Sequence, residues 1–266
     1  MRGQGVYRRN ILGVLIDDCD EAQAAARMAD FLAETPSRLH HVCTINPEFV
    51  MEARANPAFR HVLSGADLCT PDGVGIILAG KLLRRPFKGR ATGVALVNRL
   101  GELSARKGYS LYLLGAAPGV AEEAAAVLQE KYPGVTIAGT FAGSPNDADW
   151  PNIADRLEAT QPDMLLVAYG APKQDLWIAA HRGDMPESIK LAMGVGGVFD
   201  YLSGKVLLAP PVIRRVGLEW LFRLAMQPWR WRRLLKVFRF ALLVSFRMAD
   251  SVLRTNSRKR RTKTEK

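Results

Sequence analysis

Short apolar runs alternate with longer amphipathic stretches along most of the chain. The runs at 11–16, 41–45, 111–114, 135–138, 164–168 and 190–193 read as strands, with a weaker one at 66–69. Between them, 21–33, 73–83, 94–107, 120–131 and 147–159 carry apolar residues at helical spacing. This alternation predicts βαβ units, and hence an α/β fold with a doubly wound, mainly parallel, Rossmann-like sheet. Near residue 205 the pattern changes. Strands stop, and Leu234, Leu235, Phe238, Ala241, Leu242 and Phe246 recur at helical spacing. Arg232, Lys236, Arg239 and Arg247 fall largely to another side, and Trp220, Trp229 and Trp231 stand near the start of this run. The expected organisation is an α/β domain over 1–204, a basic helical appendage over 205–250 and a disordered basic tail over 251–266.

Charge sharpens that division. The chain has a formal net charge of +11, yet residues 205–266 alone hold 17 Lys and Arg against 3 Asp and Glu. A near-neutral body with a basic end points to a polyanion, either an anionic membrane or nucleic acid. A basic amphipathic helix with tryptophans suits a membrane interface. Packing of its apolar face on the body is the plainer reading. With 48% apolar and 24% charged residues, the composition is that of a globular protein. Cys19, Cys43 and Cys69 make no CxxC pattern and read as reduced thiols, which fits a cytoplasmic setting. The histidines at 40, 41, 61 and 181 show no metal-ligand spacing. No secretory signal is legible, because Asp17, Asp18 and Asp20 interrupt the early apolar run. The most apolar late stretch contains Arg239, Arg247 and Asp250, which argues against a spanning helix.

In open parallel sheets, ligands bind at the carboxyl ends of strands. The turns there are rich in Gly, Pro and polar residues. Asp72, in Pro71-Asp72-Gly73, is a carboxylate at a strand-to-helix turn, and Asn46-Pro47-Glu48 forms a second polar turn. Gly115-Ala116-Ala117-Pro118-Gly119 joins a strand to a helix, and serves either phosphate approach or a tight turn. Lys173 and Gln174 follow Gly170-Ala171-Pro172 in the first turn of a helix. A lysine at the positive end of the helix dipole suits an anionic ligand such as a diphosphate, or is a solvated surface charge. Arg90, after Lys88-Gly89, could neutralise a phosphate or lie free on the surface. Asp18-Cys19-Asp20 and Asp147-Ala148-Asp149 match the D-x-D pattern of metal-dependent sugar transferases, but both open helices and read as N-terminal caps.

Taken in order, the motifs resemble those of the WecG/TagA/CpsF family of bacterial glycosyltransferases over roughly residues 40–235. They are Thr44-x-Asn46-Pro47-Glu48, Pro71-Asp72-Gly73-x-Gly75, Gly89-Arg90-x-x-Gly93, Leu114-Gly115-x-x-Pro118-Gly119, Gly170-x-Pro172-Lys173-Gln174 and Gly194-Val195-Gly196-Gly197-x-Phe199-Asp200. They continue through Gly217-Leu218-Glu219-Trp220-Leu221-x-Arg223 and Pro228-x-Arg230. The resemblance implies an inverting, metal-independent transferase with no cofactor. It would move a hexose such as N-acetylmannosamine from a UDP-sugar donor to a polyprenyl-diphosphate-linked acceptor, in surface polysaccharide or cell-wall polymer synthesis. It implies Asp72 as catalytic base, with Thr44, Asn46, Arg90 and Gln174 in the active site. Gly115, Gly143, Gly170, Lys173, Gly196 and Asp200 would surround the nucleotide. Arg214, Arg215, Arg223 and Arg230 would meet the acceptor and the membrane. The expected place is peripheral, on the inner face of the plasma membrane, with no nucleic-acid partner and room for a homo-oligomer. Two positions depart from the family pattern: Leu208 stands where arginine is expected, and Asp175 where glutamate is more usual. The rival readings are a Rossmann-type oxidoreductase, which would need a full GxGxxG and its acidic partner, and a nucleic-acid-binding protein built on the basic tail.

Overall fold

A computed structural model describes residues 7–207, 210, 213, 221–222, 226 and 231–264. Eight strands are present among them. β1 (Arg8–Ile11) and β2 (Val14–Asp17) form an antiparallel hairpin. β3 (His40–Ile45), β4 (Leu68–Pro71), β5 (Ser110–Gly115), β6 (Thr136–Phe141), β7 (Met164–Ala168) and β8 (Leu191–Gly194) form one sheet in the order β4-β3-β8-β7-β5-β6. Every pair in it is parallel, as the alternating pattern predicts. The single strand expected over 11–16 is instead the hairpin. Gly13, at φ +99°, turns the chain, and Asn10 Oδ1 accepts from the Gly13 N–H at 2.9 Å. The hairpin covers the open edge of β4, where Asp17 Oδ2 accepts from the Cys69 N–H at 2.7 Å.

Residues alternate between two faces along each strand. Val42, Leu111, Leu113, Leu166 and Met193 share one core with α1 (Glu21–Ala33), α5 (Gly93–Lys107), α6 (Val120–Lys131) and α9 (Val198–Leu202). The opposite face is covered by α2 (Pro47–Ala55), α3 (Pro57–Gly65) and α4 (Val74–Leu82) at one end. There α7 (Trp150–Thr160) and α8 (Lys173–His181) cover the other end. The fold is therefore doubly wound.

Helix starts follow local chemistry. Asp20 caps α1 through a capping box with Gln23, and Asn46 and Asn56 cap α2 and α3, each ahead of a proline in the first turn. Asp20 thus does what its D-x-D motif led one to expect. Asp149 stands at the α7 N-cap position but accepts no capping hydrogen bond from the backbone; Asp147–Asp149 is a short 3-10 turn.

A last helix, α10 (Trp231–Thr264), packs against α2 and α4. Phe240 and Val244 are buried against the body, and Lys236 Nζ bonds Glu52 Oε2 on α2 at 2.6 Å. The stripe read from the sequence faces the other way: Leu235, Phe238, Leu242 and Phe246 are 48–63% exposed. The backbone stays helical through Thr264, beyond residue 251, where composition led to a disordered tail. No helix among the described residues is long and apolar enough to cross a membrane.

Candidate active site

β3, β4, β8 and β7 end side by side, and their turns carry most of the polar residues singled out above. The Asp72 N–H donates to the carbonyl of Ile45, the last residue of β3, at 2.8 Å. Gly75, in the first turn of α4, lies against Pro47 at the start of α2; a Cβ there would come within 2.6 Å of the proline ring. Asn46 and Asp72 therefore open from touching helix starts. Gly73 holds φ +83°, a backbone that side chains disfavour, and this turns α4 away directly after the carboxylate.

Arg90 arrives by a returning loop. Ala91 N–H donates to Pro71 O at 2.9 Å, and Thr70 Oγ1 donates to Ala91 O at 2.9 Å, which fastens the loop along the end of β4. Upstream, the Lys88 N–H donates to Asp18 Oδ1 at 2.8 Å, and Gly89 sits so close to Asp20 that a Cβ would lie 2.8 Å from it. The Asp18-Cys19-Asp20 segment thus anchors the loop that presents Arg90, with Arg9 Nη2 held by Asp18 Oδ2 at 2.8 Å. Both Arg90 and Asp72 are half-buried. Thr44 is buried on the α5 and α9 side, where a Cβ on Gly93 would lie 3.8 Å from its Oγ1.

Gln174 joins two further turns. Its Oε1 accepts from Gly170 N–H at 3.1 Å and from Gly196 N–H at 2.9 Å. Those two amides are occupied, so these glycines contribute left-handed turns, at φ +77° and +55°, and a backbone without side chains. Gln174 itself is 1% exposed; it positions the β7 and β8 turns from below. Lys173 is exposed beside it. Gly115 packs against Ala168, with a would-be Cβ 2.9 Å from that carbonyl carbon, and Gly143 lies under the Tyr169 hydroxyl. Asp200 is half-buried on α9.

Four helices that start at this rim, α4, α6, α8 and α9, have no side-chain cap, in contrast to α1, α2, α3 and α5. Some first-turn amides are already used by the backbone, as where Val120 N–H donates to Ala117 O and Gln174 N–H to Gly170 O, and the positive dipole ends of α6 and α8 suit an anion. Arg214, Arg215, Arg223 and Arg230 lie outside the described residues, as do Leu208, Trp220 and Trp229.

Sequence spacing missed one cluster. His41 and Cys43 alternate onto the same face of β3, and α8 brings Asp175 to them: His41 Nε2 and Cys43 Sγ each lie 3.4 Å from Asp175 Oδ1. Among the described residues this is the group with a metal-binding composition. All three are closed off from solvent, and burial, helped by neighbouring Cys69 and Asp175, pushes the Cys43 thiol well up, so it is protonated and donates to Asp175. Its two-residue spacing on a strand was the available signal, and only the fold could supply the remote aspartate.

A parallel sheet whose polar strand ends gather a carboxylate, a guanidinium and uncapped helix starts defines a doubly wound α/β enzyme. Residues 9–253 match the glycosyl transferase WecG/TagA/CpsF family, and the chain belongs to that family. It is similar to an N-acetylglucosaminyldiphosphoundecaprenol N-acetyl-beta-D-mannosaminyltransferase of Bacillus spizizenii, at 37% identity over 76% of this chain and 77% of the relative. A Bacillus subtilis protein of the same name is 32% identical over 76% of this chain and 78% of its own length. One from Staphylococcus aureus is 29% identical over 83% and 85%. The chain is a glycosyltransferase.

Proposed function

We propose that the enzyme transfers N-acetylmannosamine, or a closely related hexose, from a UDP-sugar to a saccharide carried on polyprenyl diphosphate, with inversion, at the inner face of the plasma membrane. The observation that carries the reading is Asp72, hung from the end of β3 and set beside Asn46 and Arg90 where parallel strands end. The names of the relatives supply the acceptor and the sugar. An acceptor hydroxyl is a weak nucleophile, and Asp72 takes its proton as the oxygen attacks the anomeric carbon. The C–O bond to the diphosphate breaks on the opposite side, so one displacement inverts the centre. The departing diphosphate is met by Arg90, Lys173 and the uncapped starts of α6 and α8. The outward apolar row on α10, flanked by exposed Arg239 and Arg247, suits the bilayer that holds the acceptor.

The test is turnover of UDP-N-acetylmannosamine on a short-chain lipid-diphosphate N-acetylglucosamine acceptor. Asp72→Asn is expected to fold and to lose at least ~100-fold in kcat, the scale of an absent general base. Wild-type rates in that variant would remove Asp72 from the role, and no turnover with any UDP-sugar would sink the donor assignment.

A further inference from the structure

Where α10 runs beside α2, its Arg247 shares an open cleft of about 260 Å³ with residues of α2, α3 and the β1–β2 turn. Three arginines from three different helices line it: Arg54 on α2, Arg60 on α3 and Arg247 on α10, with Leu12 and Gly13 of the hairpin turn between them. No carboxylate is among its described lining residues. Glu52, on the same helix as Arg54, is already engaged by Lys236 at 2.6 Å. Arg54 is aimed by a hydrogen bond from Nη1 to Leu12 O at 3.3 Å. All three arginines are exposed along this one cleft, and an oxyanion seated there accepts charge-assisted hydrogen bonds that match their planar forks.

We propose that this cleft is a phosphate site, and that its occupant is the phosphate of an anionic phospholipid headgroup. The inference rests on the membrane reading above. The choice of occupant comes from α10 itself. Phe246, 63% exposed, is the last described member of the outward apolar row and immediately precedes Arg247 in the chain. A helix lying in the interface sinks its apolar face only ~5–10 Å, to the boundary of headgroups and acyl chains. With Phe246 at that boundary, the neighbouring arginine lies at the depth of the phosphates. Val244, buried at 2% exposure one turn earlier, fixes the α10 backbone to the body and so sets where Arg247 leaves the helix beside the cleft.

Arg54→Lys/Arg60→Lys keeps both charges and removes two forks. Full-length wild type and variant are compared by co-sedimentation with phosphatidylcholine vesicles containing phosphatidylglycerol, after matching melting temperatures without lipid establish that both fold. The expected result is at least about a tenfold weaker partition for the variant, as for the loss of charge-assisted hydrogen bonds, with Arg106→Lys, an exposed arginine on α5 away from α10, close to wild type. Equal partition of wild type and double variant overturns the cleft while leaving membrane binding intact. Wild type that stays in the supernatant overturns both. A third arm titrates inorganic phosphate. If phosphate stabilises wild type but not the double variant, and vesicle partition is the same for both, the cleft is a soluble-phosphate site and the lipid assignment fails.

Discussion

Gly194 sets how closely α8 approaches the end of β8. A methyl group there would lie 2.5 Å from Gln174 Nε2 and 2.7 Å from Asp175 Oδ1. Gly194→Ala is therefore expected to cost about 1–3 kcal/mol, as overpacking does, and to lower kcat as well, because the displaced carboxamide holds two glycine turns; denaturant midpoints and turnover check the pair of effects. Gln174→Ala leaves the Gly170 and Gly196 amides without their shared acceptor and should cost roughly 1–3 kcal/mol in the same measurement. His40, at the far end of β3, behaves differently. Burial is the main cause that holds its imidazole below the ordinary value, and nearby Arg38 adds to it, against the opposing pull of Glu34 and Asp67. The unfolded chain thus binds this proton first. Stability contributed by the neutral ring is complete at neutral pH and is lost as pH falls from about 6.5 toward the lower folded value. His40→Gln should flatten that part of the acid limb in denaturation curves taken between about pH 7 and pH 5.

At the scale of elements, α10 presents two apolar faces with separate duties. Phe240, at 3% exposure, is core, whereas Phe238, at 63%, is not. Phe240→Ala is expected to cost about 3–5 kcal/mol, and Phe238→Ala to stay within about 0.5 kcal/mol in stability while weakening vesicle binding; thermal melts and co-sedimentation separate the two. The strands and most helices were legible because apolar periodicity differs between the two element types. The hairpin was read as one strand because Leu12-Gly13 interrupts no apolar pattern; Leu12 at φ +51° and Gly13 at φ +99° together turn it. α2 and α3 went unread although Asn46-Pro47 and Asn56-Pro57 are both cap-plus-proline starts. Of the candidate site, Asp72 and Asn46 were legible as polar residues at strand ends, Arg90 as a cation in a Gly-containing basic loop, and their roles only through the family resemblance. The double use of Gln174, and the meeting of Asp175 with His41 and Cys43, depend on how α8 docks and have no local pattern.

For the whole molecule, the appendage is not a detachable module. Removing residues 205–266 would uncover the core around Phe49, Val50 and Ile76 that Phe240 and Val244 help to close. Such a truncation is expected to lower the melting temperature by several degrees, so membrane affinity is better tested through Phe238 and Arg247 in the full chain. α2 gives the arrangement a mechanical side. It is one stiff rod of nine residues, about 13 Å long. One end is gripped by α10 through Lys236 and Glu52, and the other end carries Asn46 beside Asp72. On the proposed reading, this rod couples α10 to the turn that carries Asn46, and such transmission would run in both directions. Under the proposed membrane and donor assignments, reciprocity requires that any factor by which the bilayer changes sugar-nucleotide affinity is the factor by which the sugar nucleotide changes bilayer affinity. Slower amide exchange in α10 on adding the donor, with no vesicles present, would show that transmission directly.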